Sequence, residues 1–257
     1  MNRHVPHFPK PSDKRQGGLH AGIRYQYLKT ILAWISLEDR DGYVVSEWID
    51  DVFAADRGTA VIFDTKYINS AKSLTLRSPT VLDCLSNAFV HLVEKEPSSE
   101  VRYAITTNLP AGNESPSLAG LGMSGLLGWT AARSGDRSKQ DAIIRFLVDD
   151  SAVAPKVKTY LRANSPQQVW ADFLGKVWFD LESGNLLQTY QAVDAILKER
   201  CERFSLPSVG VSSFIKHLES IVFDAATRST PTATKPRTQT HPDFEAELDK
   251  HFMEKIL

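Results

Sequence analysis

An α/β sandwich around a small mixed sheet is the fold class predicted for roughly the first 110 residues, with a mainly helical part after it. Three observations predict it. An amphipathic helical pattern fills residues 19–35, and three short strand-like runs follow at 43–48, 52–55 and 60–68. A second helical pattern then opens at Ser78-Pro79 and leads into a strand at 101–107. The order helix, strands, helix, strand puts apolar helix stripes against the faces of one sheet.

Each element has its own signal. Leu19, Ile23, Tyr27, Ile31 and Trp34-Ile35 recur at three- and four-residue steps, which is one apolar stripe. Gly18, Gly22, Gln26, Lys29 and Ala33 form another face, mostly small or polar. Gly17-Gly18 is expected to precede this helix, and Asp39-Arg40-Asp41-Gly42 is a turn signal that ends it near Glu38. Arg57-Gly58 separates two strand runs as a hairpin loop. Ser78 is placed to cap the second helix, with Pro79 in its first turn and Val81, Leu82, Leu85, Phe89 and Leu92 on its apolar side to about Glu96. The strand at 101–107 runs into a turn-rich loop at 108–117. Helices are expected at about 118–133, 138–149, 166–175, 185–203 and 209–226. Within 173–181, Val177, Phe179 and Leu181 alternate like a strand, which leaves that stretch open between the two states.

The expected organisation is a flexible leader at 1–16 and one body at 17–227, with its core at 17–110 and a helical remainder at 111–227. A Thr- and Pro-rich linker follows at 228–242, then a short amphipathic helix at 243–257 that docks on the body or on another molecule. A chain of 257 residues, 42% apolar and 24% charged, can bury a sizeable core and has the composition of a soluble globular protein. No apolar run approaches the roughly 18–20 residues needed to cross a bilayer. Residues 1–16 are polar, with Pro6, Pro9 and Pro11, and have no apolar stretch of the kind a secretory signal requires. Cys84 and Cys201 are too few for a disulfide framework and neither lies in a CxxC pair, so a reducing cytoplasm is expected. The net charge of −1 argues against non-specific coating of nucleic acid. The first 29 residues are nonetheless basic, with Arg3, Lys10, Lys14, Arg15, Arg24 and Lys29 opposed by Asp13 alone; they read as phosphate contacts or as a solvated terminus.

The chemistry-bearing stretch is Glu47-Trp48-Ile49-Asp50-Asp51-Val52 followed by Val61-Ile62-Phe63-Asp64-Thr65-Lys66-Tyr67. Side chains alternate along a strand, so Asp64 and Lys66 share a face while Val61, Phe63 and Thr65 take the other. A carboxylate and an ammonium in an apolar strand are costly unless paired with each other or with a metal. Asp51 opens the preceding strand, and a hairpin near Arg57 can bring it beside Asp64. Two carboxylates and the Thr65 carbonyl make a hard-oxygen set suited to Mg²⁺, with Mn²⁺ as a substitute. The ion would polarise a scissile phosphate and acidify its bound water, and Lys66 would hold that water and offset charge on phosphorus. This is the PD-(D/E)xK pattern of metal-dependent nucleases. The bland alternative is an edge-strand ion pair worth roughly 0–1 kcal/mol.

Beyond the spacing, Gly17-Gly18-Leu19-His20-Ala21-Gly22-Ile23-Arg24-Tyr25-Gln26-Tyr27 resembles the opening of a bacterial family of double-stranded-DNA endonucleases that serve as antiphage effectors in CBASS and Lamassu-type systems. In CBASS they are fused to a SAVED nucleotide-sensing domain. Glu47, Asp50, Asp51, Asp64 and Lys66 resemble the family's later E-x-x-D-D…(D/E/Q)-x-K segment, and Ile105-Thr106-Thr107-Asn108 its strand ending in T-N. The resemblance covers about residues 15–110 and is loose from there to about 180. It implies a restriction-endonuclease-like fold and cleavage of double-stranded DNA. By position it makes Asp51 and Asp64 the metal carboxylates, Lys66 the catalytic lysine, Glu47 a further acidic position and Gln26 a helix glutamine near the site. Many members carry Gln where this chain has Asp64. A free nuclease would damage its host, so control by homo-oligomerisation or by a regulatory partner, an SMC-like ATPase or a nucleotide-sensing subunit, is expected; no SAVED-sized region follows, so the regulator is a separate chain or this chain is part of something longer.

Other signals point elsewhere. Gly120-Leu121-Gly122-Met123-Ser124-Gly125 spells GxGxxG, but a loop separates it from the strand and helices follow it, so close helix packing, or close approach of backbone to DNA, explains it better than a dinucleotide site. Trp34, Trp48, Trp129, Trp170 and Trp178 read as core. Arg133, Arg137, Lys139 and Arg145 read as a solvated face or as the flank of a DNA channel. The main rival to a nuclease is a catalytically inactive nuclease-like subunit that binds DNA or scaffolds a complex.

Overall fold

The structure is a computed structural model and describes residues 13–46, 51–94, 101–122, 124–204, 206–227 and 238–253. Helix α1 (Asp13–Ile35) leads into strands β1 (Tyr43–Ser46), β2 (Asp51–Asp56) and β3 (Thr59–Lys66). Helix α2 (Pro79–Phe89) continues as a π-helical turn, Val90–Glu94, before β4 (Val101–Thr107). Helices α3 (Gly125–Arg133), α4 (Arg137–Asp149), α5 (Pro155–Ala163) and α6 (Pro166–Asp172) precede β5 (Val177–Asp180). The chain then forms α7 (Leu186–Arg203), α8 (Val211–Thr227), β6 (Thr238–Thr240) and α9 (His241–Met253).

Among the described residues these strands form one mixed sheet in the order β5-β4-β3-β2-β1-β6. β1, β2 and β3 are an antiparallel meander. Arg57 (φ 49°) and Gly58 (φ 74°) are both left-handed, the two-residue type I′ geometry that matches strand twist. α2 then carries the chain across, so that β4 pairs parallel to β3, and β5 parallel to β4.

Strand alternation assigns each side chain to one of two cores. On one face Ile62, Tyr103 and Ile105 meet α2 through Val81, Leu85 and Phe89, together with Trp129, Trp170 and Phe173. On the other, Val44 and Val52 meet Leu28, Ile31 and Trp34 of α1, backed by α7, α8 and α9. Both cores therefore draw on chain before and after residue 111.

Five sequence expectations need correction. α1 runs through Gly17-Gly18 from Asp13, so the leader expected at 1–16 is partly helix; two glycines at about 1 kcal/mol each do not stop a 23-residue helix. The helix expected at 118–133 starts at Gly125, because Gly120 (φ 83°) and Gly122 (φ 78°) are left-handed. α5 was not expected, although Pro155 at its first turn with Val157 and Leu161 four apart on its buried side is a readable signal. The linker expected at 228–242 contains β6, which pairs with β1, and the terminal helix starts at His241. Thr240 O accepts from Trp34 Nε1 at 2.7 Å, which ties this segment to α1. Phe244, Leu248 and Phe252, at i, i+4 and i+8 of α9, are buried against Trp34 and Phe214, so the apolar side of that helix docks on the body. The ambiguous stretch at 173–181 resolves into a 3₁₀ turn (Leu174–Lys176) and β5. Ser78 sits at the N-cap, but its Oγ accepts from Thr75 N rather than from the helix.

Candidate functional site

The C-terminal ends of β3, β4 and β5 gather most of the polar side chains of interest. Asp64 is fully buried on β3, a central strand rather than an edge. Two residues on, Lys66 returns to the same face and places its Nζ 2.9 Å from Asp64 Oδ1. That approach is close enough for an ion pair but is not aligned as a hydrogen bond, so Oδ1 keeps an unused lone-pair direction. Tyr103 Oη donates to Asp64 Oδ2 at 2.9 Å. Tyr103 was not anticipated as a site residue. A tyrosine in an apolar strand needs a partner for its hydroxyl, but that β4 lies beside β3 is set by the crossover and not by local pattern.

The register sets Asp51 directly across from Asp64. Directly opposed positions of an antiparallel pair share a sheet face, so positions 51 and 64 lie on the same side. Glu47 and Asp50 lie outside the described residues. Thr65 points to the opposite face and is buried, and its carbonyl oxygen accepts from Gln26 Nε2 at 3.3 Å. The structure thus brings Asp64, Lys66, Thr65 and Gln26 to one end of the sheet, with position 51 alongside. As a metal set, Asp64 Oδ1 and the Thr65 carbonyl are hard oxygens of the type Mg²⁺ takes, and position 51 would add a second carboxylate. The donor types suit the ion, although no group of three or more His, Cys, Asp or Glu among the described residues is placed to hold a metal.

Around this end the chain is clamped. Asn108, directly after β4, accepts from Ile68 N (2.8 Å) and donates to Ile68 O (3.1 Å), so its amide extends the β3–β4 pairing by one step. Ser183 donates through both N and Oγ to Thr107 O (3.0 and 3.1 Å), shares a 2.8 Å hydrogen bond with Tyr25 Oη, and accepts from Lys29 Nζ at 2.6 Å through its carbonyl. Burial pushes the Tyr25 hydroxyl up to about 12, against the opposing hydrogen bond from Ser183. Burial lowers Lys29, with Asp180 acting the other way, and burial raises Asp180, opposed chiefly by the Lys29 charge. Asp180 lies in, and Ser183 just after, a stretch that is ambiguous in sequence, so their place beside α1 was not legible.

Of the remaining motifs, Gly125 is a close-approach position: a Cβ there would lie 2.8 Å from Leu76 Cβ and from Glu114 Oε1. This agrees with packing as the role of the glycine-rich stretch. Trp34, Trp129 and Trp170 are buried, and Trp178 is half-buried under the Arg133 guanidinium. No described helix is long and apolar enough to cross a membrane.

The fold and site define a mixed α/β protein whose six-stranded sheet is flanked by helices. No protein-family model matches the chain. No curated protein is significantly similar to it in sequence. Among solved structures it is similar to the Cap4 SAVED/CARF-domain containing receptor of Acinetobacter baumannii with the cyclic trinucleotide 3′3′3′-cAAA (TM-score 0.53, 11% identity, 93% of this chain and 45% of that one). The same receptor with 2′3′3′-cAAA gives a TM-score of 0.53 at 14% identity over 91% of this chain and 46% of that one. A further structure of it gives 0.51 at 14% identity over 91% and 47%. The chain therefore spans about half the length of these receptors and shares the fold of that half.

Proposed function

We propose that this chain is a metal-dependent endonuclease that cuts double-stranded DNA and serves as an effector of bacterial antiphage defence, controlled by oligomerisation or by a partner protein. The observation that carries this reading is the Asp64–Lys66 pair on a central strand, with position 51 across from it in register. The topology supports it: helix, antiparallel meander, crossover helix and parallel strand fit a PD-(D/E)xK core. The fold shared with about half of a Cap4 SAVED/CARF-domain containing receptor fits a defence role; the nuclease reading takes the matched half as the effector part.

In this reading Asp64, Asp51 and the Thr65 carbonyl hold Mg²⁺ or Mn²⁺. The bound ion supplies Lewis acidity toward the scissile phosphate and its water. Lys66 holds the attacking water and offsets charge developing on the phosphate oxygens. Tyr103 fixes the rotamer of Asp64, and Gln26 steadies the end of β3 through the Thr65 carbonyl.

Asp64 has no exposed surface, so a DNA phosphate reaches it only after the site opens. A resting state closed in this way suits an effector that would otherwise damage its host. The same burial favours a second reading, an inactive nuclease-like DNA-binding or scaffold subunit. Supercoiled plasmid incubated with Mg²⁺ or Mn²⁺, with and without the cognate partner, separates the two. The nuclease reading expects nicking or linearisation that Lys66→Ala and Asp64→Asn abolish while remaining folded. Cleavage by Lys66→Ala at the wild-type rate would overturn it. If the matched half is instead the ligand-sensing part, 3′3′3′-cAAA will bind this chain directly in a calorimetric titration.

A further inference from the structure

The other face of the same sheet carries a feature the nuclease reading does not use. Between α1 and the sheet lies a cavity of about 340 Å³, within the range of small-molecule sites. One wall is Lys29, Leu32 and Ala33 of α1 with Ser36 just past its end, a stripe that spans about 10 Å along the helix axis. The opposite wall is Val52, Phe63, Thr65, Thr106 and Asp180. Ala33 leaves the space open where a longer side chain would fill it.

The lining divides by chemistry. Leu32, Ala33, Val52 and Phe63 are apolar, whereas Thr65, Thr106 and Asp180 form a polar row across β3, β4 and β5 in register. Thr65 Oγ1 is buried with no hydrogen-bond partner among the described residues. Leaving such a hydroxyl unmatched is costly, and a ligand atom would satisfy it. Lys29 and Asp180 oppose each other in charge, so the site presents donors and acceptors without a net field for an anion. Its walls are a helix and a sheet face, which favours a flat occupant.

We propose that this cavity binds a neutral, planar, aminated heterocycle the size of one nucleobase, its amino group donating to Asp180 and a ring acceptor taking the Thr65 hydroxyl. Thr65 sits between Asp64 and Lys66 in the chain, so a ligand here bears directly on the strand that carries the ion pair. The inference does not depend on nuclease activity, because binding is measured without DNA.

Calorimetric titration of adenine and cytosine into the full chain tests it, with uracil and inorganic phosphate as controls. One aminated base is expected to bind saturably at a single site, whereas uracil and phosphate do not. Thr65→Val should weaken binding about tenfold, the loss of one hydrogen bond to a desolvated group. Ala33→Leu, which fills the cavity, should abolish it. Absence of saturable binding by both aminated bases overturns the proposal, as does equal binding of uracil or phosphate, or wild-type binding by Ala33→Leu. Should Ala33→Leu not fold, methyl shifts of Leu32 and Val52 in the wild-type protein decide: base-induced shifts there support the cavity, and shifts elsewhere overturn it.

Discussion

The two faces of the sheet treat charge in opposite ways. On the α2 face, Asp64 meets Lys66 and Tyr103 at 2.9 Å each and is sealed from water. On the α1 face, Lys29 and Asp180 line an open cavity, and Thr65 Oγ1 has no partner. Both arrangements come from three consecutive residues of β3, because alternation sends Asp64 and Lys66 one way and Thr65 the other. A tight cluster closed off from water is either structural or switched on by opening, whereas a loosely lined cavity is accessible to a ligand as it stands.

Breaking the tight side should have the largest effect. Lys66→Met leaves a buried carboxylate without its counter-ion and should cost about 3–5 kcal/mol in urea unfolding. Asp64→Leu combined with Lys66→Met should restore most of that stability while abolishing cleavage, which separates a functional pair from a structural one. Tyr25 gives the next largest effect, through pH. Burial pushes its hydroxyl up to about 12 in the folded protein, above the ordinary tyrosine value of about 10, so above pH 10 the unfolded chain loses the proton first. The contribution is fully present below pH 10 and is lost as pH rises from 10 to 12, by about 2–3 kcal/mol. Tyr25→Phe should remove that alkaline drop in melting temperature, and an unchanged profile would place the titrating group elsewhere. Tyr103→Phe removes one hydrogen bond to a carboxylate and should cost about 2 kcal/mol. On the cavity side the sign reverses: Ala33→Leu should stabilise by up to about 1 kcal/mol, because it fills space rather than breaking a contact. A loss of several kcal/mol there would mean that the cavity is smaller than its lining indicates.

Much of this was legible in the sequence. The α1 stripe, the Arg57-Gly58 turn and the placement of Asp64 with Lys66 follow from periodicities of 3.6 and 2, which local side-chain pattern sets directly. Position 51 falling across from Asp64 followed from hairpin geometry. Tyr103, Asp180 and Ser183 were not anticipated at this end, because their places depend on parallel pairing across long crossovers, which no local pattern encodes. β6 was missed for a related reason: three residues, Thr238–Thr240, carry too little alternation to register, and their pairing with β1 is set by the docking of α9. The glycine-rich segment shows the converse, a motif legible by spelling whose role at Gly125 is close packing against Leu76 and Glu114.

The central claim is that Asp64 is a metal ligand, and Mn²⁺ titrated calorimetrically into the wild-type chain and Asp64→Asn addresses it most directly. Asparagine keeps the shape and an oxygen for the Tyr103 hydrogen bond but removes the charge. The account predicts saturable Mn²⁺ binding to the wild type that Asp64→Asn loses while still melting cooperatively. Equal Mn²⁺ affinity in the two proteins, or none in the wild type, would contradict it.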